Sequence, residues 1–290
     1  MPAEKAKELS AKTIIITGGT SGIGLAAARA FADRGQRLIL IGRDADRGRE
    51  AIARLAPSPA GPHRLISADL SLMSQVRSVI MDIEATEERI DVLANNAGAW
   101  FQHRALTAEG IERTVAINHL APVALTLGLK RLLLAAPAAR VVNTGSFVYR
   151  QARYDPDNLQ AEKHFSTNAT YAATKLYNLM VTRALANRWL DTGITLNCFS
   201  PGFVATEFGR GESGLLEPLY RFTRLFAIPP EKGAATLIHL ADTAVSAGIS
   251  GAYFEKRRRR DVRGPAADLD LCEALLDWSV RFTGFDARTV

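Results

Sequence analysis

Tyr171 and Lys175 stand four residues apart in the stretch YAATKLYN. On a helix that spacing puts both side chains on one face, where an ammonium beside a phenol favours the ionised phenol. A tyrosine with an ordinary pKa of about 10 then becomes a workable proton donor or acceptor near neutral pH. Alone, such a pair means little. Upstream, however, lie a glycine-rich turn, TGGTSGIG from Thr17 to Gly24, and an NNAG segment from Asn95 to Gly98. A turn able to cradle a dinucleotide and a pair able to move a proton together point to hydride-transfer chemistry.

Gly18, Gly22 and Gly24 follow an apolar run and open a helical pattern. Without side chains there the backbone turns tightly and approaches a pyrophosphate, whose charge the helix N-terminus favours. Thr20, Ser21 and Ile23 complete the turn and are expected at the same ligand. The second apolar run ends in Gly42-Arg43-Asp44, where an acid would hold the ribose 2′-hydroxyl of NAD. Gly42 has no carboxylate and Arg43 can grip a 2′-phosphate, which favours NADP(H). Asp44 keeps NAD(H) possible, since it could cap the next helix or accept the ribose hydroxyl.

These residues need a scaffold, and apolar runs alternate with amphipathic stretches along the chain. Thr13 to Thr17, Arg37 to Ile41, Arg64 to Ser67, Val92 to Asn95, Arg140 to Thr144 and Thr195 to Phe199 suit parallel strands buried on both faces. Gly22 to Arg34, Ala45 to Leu55, Ser71 to Glu88, Ala108 to Leu134 and Ala169 to Asp191 carry helical periodicity. A short strand at Gly251 to Phe254 and a helix around Asp268 to Phe282 complete the pattern. The order predicts an α/β fold: a single Rossmann-type domain over residues 1–290, with a doubly wound parallel sheet of about seven strands, helices on both faces, and a ligand at the carboxyl ends. Residues 205–230, rich in glycine and apolar side chains, would form a mobile substrate cover.

Composition agrees, with 47% hydrophobic and 23% charged residues. Cys198 and Cys272 show no metal-ligand spacing, so no metal is expected and buried thiols of a cytoplasmic protein are the reading. The polar start, MPAEKAKELSAK, carries no secretory h-region. Leu120 to Leu134 is too short, and too interrupted by Lys130 and Arg131, to span a bilayer. KRRRRDVR, Lys256 to Arg263, holds most of the net charge of +6 and reads as a solvated surface loop, with no nucleic-acid motif beside it. His119 is expected to satisfy a local hydrogen bond, while Tyr149 and Tyr154 divide between substrate contact and packing.

The ordered motifs resemble the short-chain dehydrogenase/reductase family over nearly the whole chain. TGGTSGIG resembles its cofactor turn, Ala68-Asp69-Leu70 its adenine-side motif, and NNAG, with Asn95, Ala97 and Gly98, its fourth-strand motif. Asn118, Ser146, Tyr171 and Lys175 fall where that family places its catalytic tetrad. Pro201 and Gly202 match its P-G turn, with Val204 and Thr206 at the nicotinamide side. DNLQAEKHF, Asn178 and GAYFEK look most like the retinol-dehydrogenase-like branch, although Gly145 replaces a common serine and the apolar anchor of membrane-bound relatives is not seen.

The resemblance implies that Tyr171 passes a proton to a carbonyl oxygen and that Lys175 lowers the tyrosine pKa and holds the nicotinamide ribose. Ser146 would steady the same oxygen, and Asn118 would hold a water leading from Lys175. The expected activity is an NADP(H)-dependent interconversion of carbonyl and alcohol on a small, fairly apolar substrate. A carbon–carbon double-bond reductase and a non-catalytic dinucleotide sensor are the alternatives. A homodimer through the long helices is possible.

Overall fold

In the computed structural model, residues 11–203, 228–242 and 248–285 are described. Strands β1 (Thr13–Thr17), β2 (Arg37–Gly42), β3 (Arg64–Ser67), β4 (Val92–Asn95), β5 (Arg140–Thr144), β6 (Thr195–Ser200), β7 (Tyr253–Glu255) and β8 (Arg258–Arg260) form one sheet. Its order is β3-β2-β1-β4-β5-β6-β7-β8, and every pairing is parallel except β7 with β8. Strand β1 lies between β2 and β4, with Ile15 opposite Ile39 on one side and Leu93 on the other. The chain therefore reverses its direction of winding at β1 and β4, which opens a crevice at their carboxyl ends.

The β-branched runs occupy the strands because both sheet faces are covered. Ile14, Ile15 and Ile16 are fully buried, and each such side chain stabilises the fold by about 1.5–3 kcal/mol. On one face α1 (Gly22–Ala32), α2 (Ala45–Ala53) and α8 (Pro230–Asp242) enclose Phe31, Phe199, Leu237 and Phe254. The other face carries α3 (Met73–Thr86), α7 (Thr167–Arg188) and α9 (Leu269–Thr283). Helix α9 starts on Asp268, whose carboxylate accepts from the amides of Asp270 and Leu271, and ends on Gly284 at φ +81°.

Two expectations change. Ala108 to Leu134 is not one helix but α4 (Arg113–Val115), a π-helical turn (Ala116–Leu120), α5 (Ala121–Gly128) and α6 (Lys130–Leu134). Leu106 pairs with Glu112, Gly110 takes φ +76°, and the Glu112 carboxylate caps the first turn through the Val115 amide at 2.9 Å. Periodicity alone does not register such a cap or the missing N–H of Pro122. The basic run, read as a loop, instead turns at Lys256 and Arg257 and forms the antiparallel edge strand β8, whose three arginines are exposed. Charge on an edge strand opposes pairing with another chain.

Candidate active site

The glycine turn sits at the end of β1, and its geometry excludes side chains. Gly18 has φ +64° and Gly22 φ +52°, and a Cβ on Gly24 would stand 2.2 Å from the Gly18 carbonyl oxygen. Ser21 precedes α1 without capping it by its side chain, so the first-turn amides keep their pull on an anion. These residues fit the pyrophosphate of a dinucleotide. Across the crevice Asn96, rather than Asn95, reaches the turn: its Nδ2 donates to Thr17 O at 3.1 Å, and Thr17 Oγ1 accepts from the amides of Asn96 and Ala97 at 2.9 Å each. Asn95 is buried and directs its amide inward, to Asn143 Oδ1 at 2.8 Å and Thr126 Oγ1 at 3.1 Å. Ala97, next to Gly98, backs onto Gly18, where a Cβ would meet Ala97 Cα at 3.0 Å.

At the end of β2, Gly42 is required by packing, because a Cβ there would lie 2.9 Å from Thr20 Oγ1. Asp44 is spent as a helix cap, accepting from the Arg47 amide at 2.9 Å and pairing with Arg47 Nε at 3.6 Å. Arg43 is exposed between them. Asp69 closes a turn on Ser71 through its amide at 2.9 Å and hydroxyl at 2.8 Å, while Leu70 is buried.

Ser146, Tyr171 and Lys175 converge at the end of β5. Ser146 follows the strand, is 8% exposed, and hydrogen-bonds the Tyr171 phenol. Tyr171 and Lys175 share one face of α7, with the Lys175 ammonium 5.4 Å from the Tyr171 ring centroid. Lys175 Nζ donates to Thr144 O at 3.0 Å and is 2% exposed. Burial lowers the Lys175 pKa to about 8. It raises that of Tyr171, against the expectation that Lys175 would depress it; only the Ser146 hydrogen bond acts in the downward direction. The ammonium lies against the ring and bonds a backbone carbonyl, while desolvation of the phenolate dominates.

Asn118 lies in the π-helical turn. Its side chain is fully engaged, with Oδ1 accepting from Ala99 N at 2.7 Å and Nδ2 donating to Ala99 O at 2.9 Å and Thr174 Oγ1 at 3.2 Å. Its backbone carbonyl accepts from Asn178 Nδ2 at 2.8 Å. Ser200, absent from the sequence reading, ties two loops of the site together: its hydroxyl accepts from Phe147 N at 3.1 Å and Gly202 N at 3.3 Å. Gly202, after Pro201, takes φ +86°. Val204, Thr206 and almost all of the expected cover at 205–230 lie outside the described residues.

Tyr149 is buried edge-on against Tyr253, with centroids 5.0 Å apart, and Tyr154 packs on Tyr177 at 6.4 Å. Among the described residues no cluster of three histidine, cysteine or acidic side chains could hold a metal. No described helix is long and apolar enough to cross a membrane.

Known proteins resemble this chain in sequence and in fold. The chain is 37% identical to “Putative daunorubicin C-13 ketoreductase DnrU” of Streptomyces sp. (strain C5), over 97% of this chain and 95% of that protein. It is 34% identical to human retinol dehydrogenase 12, over 96% and 88%. The Pseudomonas aeruginosa RhlG/NADP active-site complex superposes with a TM-score of 0.66 at 25% identity, covering 84% of this chain and 94% of that one. The short chain dehydrogenase pattern matches residues 12–213. With that match falling on the same crevice and the same Ser/Tyr/Lys group, the chain is an oxidoreductase of the short-chain dehydrogenase family.

Proposed function

We propose that the chain interconverts a carbonyl and an alcohol on a fairly apolar substrate, using NADP(H), with Tyr171 as general acid or base. The observation that carries this reading is the hydrogen-bonded Ser146–Tyr171 pair above Lys175, at the carboxyl end of the strand next to the glycine-turn crevice. In reduction, a nicotinamide cofactor held at the glycine turn would supply the hydride that the carbonyl carbon accepts. Tyr171, kept protonated by burial, donates its proton to the carbonyl oxygen. Ser146 bonds the same oxygen and stabilises negative charge as it develops. Lys175 provides the positive charge that steadies the tyrosinate left behind, and Asn118, through the second lone pair of its carbonyl, would hold the water that returns a proton.

The exposed guanidinium of Arg43, beside an Asp44 already committed to capping, supports NADP(H) over NAD(H). The names of the ketoreductase and retinol dehydrogenase relatives support a carbonyl/alcohol couple. Cys198 and Cys272, both buried and free, are consistent with a reducing, cytoplasmic setting. The test is Tyr171→Phe assayed against a panel of aldehydes and ketones with NADPH. Turnover should fall by about 10²-fold or more, the usual scale for a lost general acid, with NADPH affinity retained. Near-normal turnover of this variant would refute the proposed role.

A further inference from the structure

Four residues after Asn118 the chain carries Pro122, which has no N–H. The Asn118 carbonyl therefore lacks the donor that an α-helix would supply at that distance. Asn178, on α7 and 5% exposed, fills the gap: its Nδ2 donates to Asn118 O at 2.8 Å and reaches Thr144 O at 3.4 Å. Thr144 O is also the acceptor of Lys175 Nζ. One amide thus bonds the Asn118 carbonyl and also reaches the carbonyl that Lys175 bonds.

The orientation of that amide has a consequence for its neighbour. Turning it over would face Oδ1 toward two carbonyl oxygens, so Nδ2 points at them and Oδ1 points away, at His119 Nδ1, 3.3 Å distant. An acceptor there needs a proton on Nδ1. His119 is fully buried, edge-on to Tyr177 and stacked near Trp278, and burial lowers its pKa to about 4. It is neutral near pH 7, and Ser279 Oγ, 2.7 Å from Nε2 on α9, has one proton to give either to Nε2 or to Leu275 O, also at 2.7 Å; with the ring proton on Nδ1, Nε2 is bare and takes it. The proton order reads Ser279 O–H to His119 Nε2, His119 Nδ1–H to Asn178 Oδ1, and Asn178 N–H to Asn118 O.

We infer that Asn178 is a positioning residue for proton transfer, fixing the Asn118 and Thr144 carbonyls around Lys175, and that His119 and Ser279 hold it in the one orientation that does so. The inference rests on the carbonyl-reductase reading for its kinetic part only.

Nitrogen-15 spectra of the histidine-labelled protein test the chain without any substrate. The His119 resonances, assigned by their loss in His119→Asn, should show Nδ1 protonated and Nε2 bare near pH 7; the opposite tautomer overturns the inference. Kinetically, Asn178→Ala should lower kcat by about tenfold or more while KM for NADPH stays within about threefold. His119→Leu should fall with it. His119→Asn, which can keep an N–H donor near the Nδ1 position, should restore most of the loss, and thermal melting checks that each variant is folded. Parent-like kcat in Asn178→Ala, or His119→Asn as slow as a folded His119→Leu, overturns the positioning role. A parent protein that reduces no carbonyl refutes the proposed function instead, and the tautomer still decides the chain.

Discussion

Cys198 Sγ occupies the space that a side chain at residue 145 would enter. An ideal Cβ on Gly145 would stand 2.7 Å from that sulfur and 3.3 Å from the Phe199 carbonyl oxygen. Glycine immediately before Ser146 is thus matched to a thiol on the adjacent strand β6, and that thiol lies near Lys175. Burial raises the Cys198 pKa to about 12, so the group next to the lysine is an uncharged thiol that packs rather than pairs.

Gly145→Ser should therefore destabilise the protein by about 1–3 kcal/mol through overpacking. Adding Cys198→Ala should recover most of that loss, leaving a remainder from the Phe199 carbonyl. Urea unfolding of the single and double variants measures both values. A Gly145→Ser protein as stable as the parent would show that the contact relaxes without cost.

Arg43→Ala should weaken NADPH binding by about 1.5–3 kcal/mol, the scale of a hydrogen bond to a charged group, and leave NADH nearly unchanged. Fluorescence titration with both cofactors distinguishes the two. Equal weakening would mean that Arg43 does not read the 2′-phosphate.

Lys175 carries a second expectation. Its folded pKa of about 8 lies below the ordinary value, so the folded protein binds fewer protons than the unfolded chain between about pH 8 and 10.5. The cost of burying this charge is present in full below that window and is relieved as pH rises through it. Catalysis should respond in the opposite sense. As the ammonium deprotonates, kcat/KM for carbonyl reduction should decline above about pH 8. A profile that stays flat from pH 7 to 10 would remove Lys175 as the charged partner of the tyrosine.

His119 makes the fold sensitive to acid. Its pKa falls from 6.5 to about 4 on burial, so between those values the unfolded chain takes up the proton that the folded protein refuses. Stability should drop as pH falls through this window, by up to about 3 kcal/mol at its lower end. Glu87 and Asp242, whose pKa values are also lowered, lose stability in the same direction, so the comparison is between parent and His119→Asn. The variant should show the shallower slope in denaturant midpoint from pH 6.5 to 4. Identical slopes would assign the acid loss to the carboxylates.

Seven of the eight described strands and most helices were legible because a short apolar run between helix-periodic stretches has few other ways to bury both faces. The glycine turn was equally legible, since Gly24 admits no side chain against the Gly18 carbonyl. The Tyr171/Lys175 spacing correctly placed both residues on one helical face. What a linear pattern does not carry is the environment each side chain meets. Asn95 and Asn96 are alike in sequence, yet strand alternation turns one toward Asn143 and the other toward the glycine turn. The direction of the Tyr171 shift depends on how completely the phenol is desolvated.

By itself, then, the sequence determined the α/β order, the glycine-turn crevice and the Tyr171/Lys175 pair, because these follow from local periodicity and from residue types that only one backbone geometry accepts, while Ser146 was implied by the family resemblance. Only the tertiary structure decided that β8 is a strand, that Gly145 answers to Cys198, and that Pro122 frees a carbonyl for an amide 60 residues later in the chain. Each of these joins segments distant in sequence, and such contacts exist only once hydrophobic burial has brought the layers together.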